Sequence, residues 1–141
     1  MKKEKKNTNE NKFFSQFNSL EKGRKITVNK HIGTSIDFSF KDEEKEYLIE
    51  VDSYNMAKCV VGQYILLHCA PEIKNSSVFV IVHFHKDYRK HRTINHLNFI
   101  KSKFNISIPF VVFEWTELNN AKIADTKSFI NEINKQLSEK K

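Results

Sequence analysis

Two short runs, TSIDFSF at 34–40 and EYLIEVD at 46–52, alternate apolar and polar side chains and are separated only by KDEEK. Successive side chains of a β-strand point to opposite faces, so such alternation specifies strands with one face on a core. The charged stretch between them reads as a turn, and the two runs are expected to pair as a hairpin. In the first run Ile36, Phe38 and Phe40 fall on one face and Ser35, Asp37 and Ser39 on the other. In the second, Tyr47, Ile49 and Val51 share a face, and Leu48, Glu50 and Asp52 share the opposite one.

The remaining elements arrange themselves around this hairpin. Phe13, Phe17, Leu20 and Glu21 recur at helical spacing and predict a helix over 10–22, closed by Gly23. RKITVNK at 24–30 predicts a strand. A largely buried helix is expected over 55–69, using Met56, Val60 and Leu67, and a helix over 93–103 using Ile94, Leu97 and Ile100. The continuous apolar runs at 77–83 (SVFVIVH) and 108–114 (IPFVVFE) read as strands buried on both faces. Phe129, Ile130, Ile133 and Leu137 predict a last helix over 118–138, with Phe113 and Trp115 finishing the core or capping the last strand. An antiparallel meander feeding alternating helices and strands implies an α/β fold, a central mixed sheet of about five strands flanked by helices on both faces.

The 141 residues suit one domain, read here as a basic disordered tail over 1–9 and a single domain over 10–141. Only 3 Gly and 2 Pro argue against a disordered Gly/Pro-rich chain. The apolar runs fall well short of the roughly 20 residues that span a bilayer, and the basic N-terminus has no apolar stretch of a signal peptide. A soluble, cytoplasmic protein is expected. Cys59 and Cys69 lie on one expected helix, about 15 Å apart at the helical rise, too far for a mutual disulfide, and read as buried reduced thiols. The net charge of +7 is concentrated in residues 1–12 and 83–103, leaving the rest near neutral. Two basic segments on a neutral body point to a polyanion partner.

The hairpin also carries the chemistry. Asp37, Glu50 and Asp52 can converge at one end of the sheet if the two strands pair. Clustered carboxylates repel and raise one another's pKa unless a cation lies among them, and hard oxygen ligands suit Mg²⁺ or Mn²⁺. Burying acids in a strand as apolar as YLIEVD is costly without a counter-charge.

Gly33-Thr34-Ser35-Ile36-Asp37, followed by a turn, Ile49-Glu50-Val51-Asp52 and a helix carrying Gln63, resembles the PD-(D/E)XK, or restriction-endonuclease-like, superfamily. The resemblance covers roughly residues 10–83, and the order of elements extends it to about 114. It implies a metal-dependent DNA endonuclease, with Asp37, Glu50 and Asp52 as acidic metal ligands and Gln63 supporting them. Archaeal Holliday junction resolvases of this superfamily carry a similar Gly-Ser…Asp stretch and a Glu on the first helix, which Glu21 could match. The family's lysine position is occupied by Asp52, so the motif reads E-x-D, as in mismatch-repair-type members; Lys58 on the next helix could supply the missing cation. The resemblance further implies DNA, duplex or structured, as partner and a homodimer or larger nucleoprotein complex. Two alternatives stay open. One is a protein of this fold that binds nucleic acid without turnover.

The other arises from His83-Phe84-His85, a pattern similar to that of the HUH single-strand nickases, in which paired His bind a divalent metal and a Tyr attacks phosphate. Tyr47, Tyr54, Tyr64 and Tyr88 are then the candidate nucleophiles. A simpler reading places His83 and His85 at a strand end against phosphate or solvent. Lys86, Arg89, Lys90 and Arg92 of the following segment would add phosphate contacts without base readout. The sequence contains no phosphate-binding glycine loop, no paired-cysteine metal motif and no nucleophile elbow.

Overall fold

The structure, a computed structural model, describes residues 8–53, 57–73, 76–86 and 89–139. The elements run α1 (Thr8–Gln16), β1 (Glu21–Thr27), β2 (Gly33–Lys41), β3 (Glu46–Asp52), α2 (Ala57–Cys69), β4 (Ser77–His83), α3 (Lys90–Lys103), β5 (Phe110–Glu114), α4 (Trp115–Asn120) and α5 (Thr126–Glu139). The chain is α/β, with one five-stranded mixed sheet in the order β1-β2-β3-β4-β5. β1, β2 and β3 pair antiparallel as a meander, and β3, β4 and β5 pair parallel through the crossovers that contain α2 and α3.

Two apolar cores sandwich the sheet. On one face Tyr47, Ile49, Val51, Val78, Val80 and Val82 pack against Phe13 of α1, Leu118 of α4 and Phe129, Ile130 and Ile133 of α5. On the other, Leu48, Phe79, Ile81 and Val112 pack against Val60, Tyr64 and Leu67 of α2 and Leu97 of α3. β4 is buried along its whole length, as its continuous apolar run requires. Aromatic rings dominate the first core: Phe17 stacks on Phe129 at 4.7 Å, and Phe84 on Trp115 at 4.4 Å. Each fully buried ring of this size contributes roughly 1.5–3 kcal/mol.

The first helix is shorter and earlier than its apolar spacing suggested. It starts inside the expected tail, at Thr8, and ends at Gln16. Phe17 and Leu20 still enter the core, from a turn rather than from a helix. Gly23 terminates nothing. It lies within β1 at φ +75°, a conformation that L side chains adopt only under strain. The expected helix over 118–138 is two helices, α4 and α5, divided by a turn at Ala121–Asp125. Glu114 and Glu117 form a reciprocal capping box that starts α4. Both cysteines are free and exposed rather than buried, because they occupy the outer face of α2. Met56, expected in that helix's core, lies outside the described residues, as do residues 1–7 of the expected tail. Among the described residues, no helix is long and apolar enough to cross a membrane.

Candidate active site

The hairpin forms as its alternation dictates only between its turn and Phe38. There Phe38 pairs with Ile49, Ser39 with Leu48 and Phe40 with Tyr47. Beyond Phe38 the two strands part. Phe38 and Phe40 face the first core, whereas Ile36, expected beside them, enters the second. Asp37 is the pivot. Its Oδ2 accepts the Val51 N–H at 2.9 Å, and its own N–H donates to Glu50 Oε1 at 3.2 Å. Side-chain carboxylates thus take over where the backbone ladder stops. One glycine lies opposite the bend and another at the start of β2. Gly23, with its positive φ, lies on β1 opposite Asp37, between the pairs Lys22–Phe38 and Arg24–Ile36. A Cβ on Gly33 would lie 2.8 Å from the Ile26 carbonyl oxygen, so only glycine fits this close approach of β1 and β2.

The Asp37 and Glu50 carboxyls are close neighbours, each half-buried. Burial, then the neighbouring Glu50 charge, pushes the Asp37 carboxyl up to about 8. Burial likewise pushes Glu50 up to about 7, against the stabilising hydrogen bonds from the Asp37 backbone and the Gln63 side chain. Near neutral pH the pair therefore holds a proton that two solvated carboxylates would have lost.

Gln63 arrives from α2. Its Nε2 donates to the Ser35 carbonyl at 2.9 Å, which fixes the carboxamide beside Glu50. A third acid arrives from α1, and it is Glu10, not Glu21. Glu10 lines the same cleft as Asp37, and its charge helps to raise the Asp37 carboxyl. Glu21, expected here, is an exposed residue at the start of β1, paired with Ser39, because the helix that was to carry it ends at Gln16. Glu10 sits three residues before Phe13, and that ring's place in the core fixes which side of α1 faces β2. Glu10 already lay within the expected helix, and its spacing from Phe13 was the signal available to find it.

Asp52 does not join the pair. It shares a face with Glu50, but its Oδ2 meets His83 Nδ1 at 2.8 Å, and His83 Nε2 meets Thr93 Oγ1 at 2.8 Å. The parallel register sets Asp52 directly beside His83, and a buried imidazole needs partners for both nitrogens. His83 is thereby a buried strut between β3 and α3, out of reach of the phosphates expected for it. His85 lies beyond the end of β4 and is exposed. Of the candidate tyrosines, Tyr47 is buried with its hydroxyl 3.0 Å from Asn134 Oδ1, and the buried Tyr64 hydroxyl donates to the Ile108 carbonyl. Tyr54 and Tyr88 lie outside the described residues. Lys58 is exposed on α2, with no ion pair to Asp37 or Glu50. Lys90, expected on phosphate, is held by Glu117 at 2.8 Å, whereas Lys86, Arg89 and Arg92 are exposed.

A cleft of about 240 Å³ opens onto Asp37, lined by Glu10, Asn11, Lys22, Gly23, Ser35 and Phe38 among others. Its cation is Lys22, whose ammonium lies 4.2 Å from the centre of the Phe14 ring. A larger hollow, about 390 Å³, sits at the hairpin turn, lined by Asp42, Glu43, Glu44 and Asn134. Its acids are turn residues: Asp42 accepts the Glu44 and Lys45 N–H groups. Among the described residues, no group of three or more His, Cys, Asp or Glu side chains is disposed to hold a metal ion. Comparison with models of known families, with characterised proteins and with solved structures finds no match to this chain.

Proposed function

We propose that this protein is a divalent-metal-dependent endodeoxyribonuclease of the restriction-endonuclease-like type, with Asp37 and Glu50 as its metal-binding acids. The observation that carries the reading is the half-buried Asp37–Glu50 pair, tied by the Asp37 N–H to Glu50 Oε1, at the point where β2 and β3 part. Two neighbouring carboxylates with no cation paired to them among the described residues are costly to ionise unless a positive charge takes the proton's place. The donor set fits Mg²⁺ or Mn²⁺, since Mg²⁺ is usually held by one or two carboxylates, with waters and substrate phosphate completing the shell. Such an ion, when bound, supplies Lewis-acid polarisation of the phosphodiester and a more acidic water.

The chain's own groups divide the remaining work. Gln63 holds Glu50 in place from α2, and Glu10 flanks Asp37 from α1. Lys22 brings positive charge to the cleft that opens on Asp37. Asp52, which replaces the family's lysine, acts structurally through His83 and not as a ligand. The position of Lys22 in the cleft supports it, rather than Lys58, as the cation of the site.

The test is cleavage of supercoiled, linear duplex, branched and single-stranded DNA with Mg²⁺ or Mn²⁺. Wild-type protein is expected to cut at least one of them, and Asp37→Asn and Glu50→Gln are expected to abolish cutting. The reading fails if no substrate is cut, or if both variants cut as the wild type does. The second reading, a binder without turnover, is favoured by Asp52 in the lysine position; it predicts salt-sensitive binding with DNA left intact in Mn²⁺.

A further inference from the structure

Helix α3, KHRTINHLNFIKSK, contains no acidic residue. Its inner face is spoken for: Thr93 and Leu97 are buried, and Ile94 and Ile100 pack on the second core. Its outer face carries Arg92, His96, Phe99 and Lys103, spaced four, three and four residues apart, which places all four on one narrow stripe. Every one of them is exposed. Phe99 is 67 % accessible, the most exposed large apolar side chain among the described residues. His96 is drawn back along the stripe by donating Nδ1–H to the Arg92 carbonyl at 2.6 Å. At the helical rise the stripe is about 16 Å long. Its Arg92 end lies just after β4, on the side of the sheet where β3 and β4 end in Asp52 and His83 and where Glu50 sits.

We propose that this face of α3 is a platform for an unpaired segment of nucleic acid, with a base stacked on Phe99 and phosphates held by Arg92 and Lys103. An exposed aromatic ring between cations is the arrangement that binds single strands, since every base offers a π-face and the phosphates track the positive charge. Asn95, alongside the stripe, adds a donor and an acceptor for base edges. A second copy of the chain fits less well, because it would set one cationic helix against another. A lipid surface also fits less well, because Phe99 lies among Arg92, His96, Asn95 and Lys103 and no continuous apolar face forms. The inference rests on the nuclease reading for its class of partner and deepens it: the substrate carries single-stranded DNA next to the point of cleavage.

The experiment is fluorescence anisotropy of a labelled oligo-dT and of a duplex of equal length, with full-length protein in EDTA, so that binding is measured without cutting. Phe99→Ala is expected to weaken oligo-dT binding about tenfold and duplex binding little, with the melting temperature unchanged because the ring is exposed. Phe99→Trp is expected to retain or tighten it. Arg92→Ala with Lys103→Ala is expected to flatten the salt dependence by roughly one to two counterions. The proposal is overturned if Phe99→Ala binds oligo-dT as the wild type does. It is equally overturned if phosphatidylserine vesicles are bound and oligo-dT is not, or if Phe99→Ala acts only by abolishing self-association in sedimentation. Oligo-dT binding through Phe99 with no cleavage of any substrate would sink the nuclease reading and leave this one standing.

Discussion

The two ends of the β2–β3 hairpin carry the same kinds of residue and treat them in opposite ways. At the turn end every acid that is held is held by a positive or donating group. Glu46 takes the Arg24 guanidinium at 2.8 Å, and Glu72, which also accepts the Thr27 N–H, closes on the same arginine at 3.3 Å. Backbone donors hold Asp42 below the usual carboxylate range, and the Thr27 N–H does the same for Glu72. At the splayed end Asp37 and Glu50 face each other and Glu10, and both titrate upward. The first arrangement satisfies itself. The second is relieved by an added proton or cation, and on that difference the proposed metal site rests.

The largest effect that would break this contrast is on turnover. Replacing Asp37 with Asn or Glu50 with Gln should reduce cleavage by at least about 100-fold. The same substitutions should leave the fold intact or raise the melting temperature of the metal-free protein, because they remove a partly buried charge. If stability fell instead, the pair would be structural like Glu46. Next in size is His83→Ala, which empties a buried site and strands Asp52. A loss of about 2–4 kcal/mol in urea unfolding is expected, and a neutral result would mean that Asp52 is as free as Glu50.

The pH dependence sharpens the comparison with a sign. Asp37 and Glu50 have folded-state pKa values of about 8 and about 7, above those of the unfolded chain near 4. The native state therefore holds protons that the unfolded state releases, and stability falls as pH rises through the window from about 4 to 8. A series of melting curves should show this fall, Asp37→Asn should flatten it, and Mg²⁺ at pH 8 should reverse it in the wild type. Asp42 and Glu72 titrate the other way, and the stability they contribute is lost only as pH falls below the ordinary carboxylate range. The smallest effect belongs to the turn end. Arg24→Ala removes a partly exposed ion pair and should cost no more than about 1 kcal/mol, with cleavage unchanged.

Much of this was legible in the chain because it follows from period. The alternation of EYLIEVD put Glu50 and Asp52 on one face and Tyr47, Ile49 and Val51 on the other, and the sheet keeps that division. The unbroken run SVFVIVH marked a strand covered on both sides. What period cannot express is where a ladder stops. The divergence at Asp37 moves Ile36 to the opposite core and lies across from Gly23, whose positive φ no periodicity announces. Partner choice was equally hidden. Asp52 and Glu50 are equivalent in strand position, and only the register of β4, which puts His83 beside Asp52, tells them apart. Glu10 was missed because apolar spacing ran on through Phe17 and Leu20, which reach the core from a turn after the helix has ended.

Among the described residues β1 has one strand neighbour in the sheet, β2. Its sequence EKGRKIT sets Lys22, Arg24 and Lys25 close together, broken by a glycine whose backbone is not extended. An unpaired strand is a template for another chain, and lysines and local backbone irregularity are what make such a template hard to use. Two copies meeting there would press like charges together across a ladder that Gly23 interrupts. The meander thus ends in a border that discourages lateral growth of the sheet from β1.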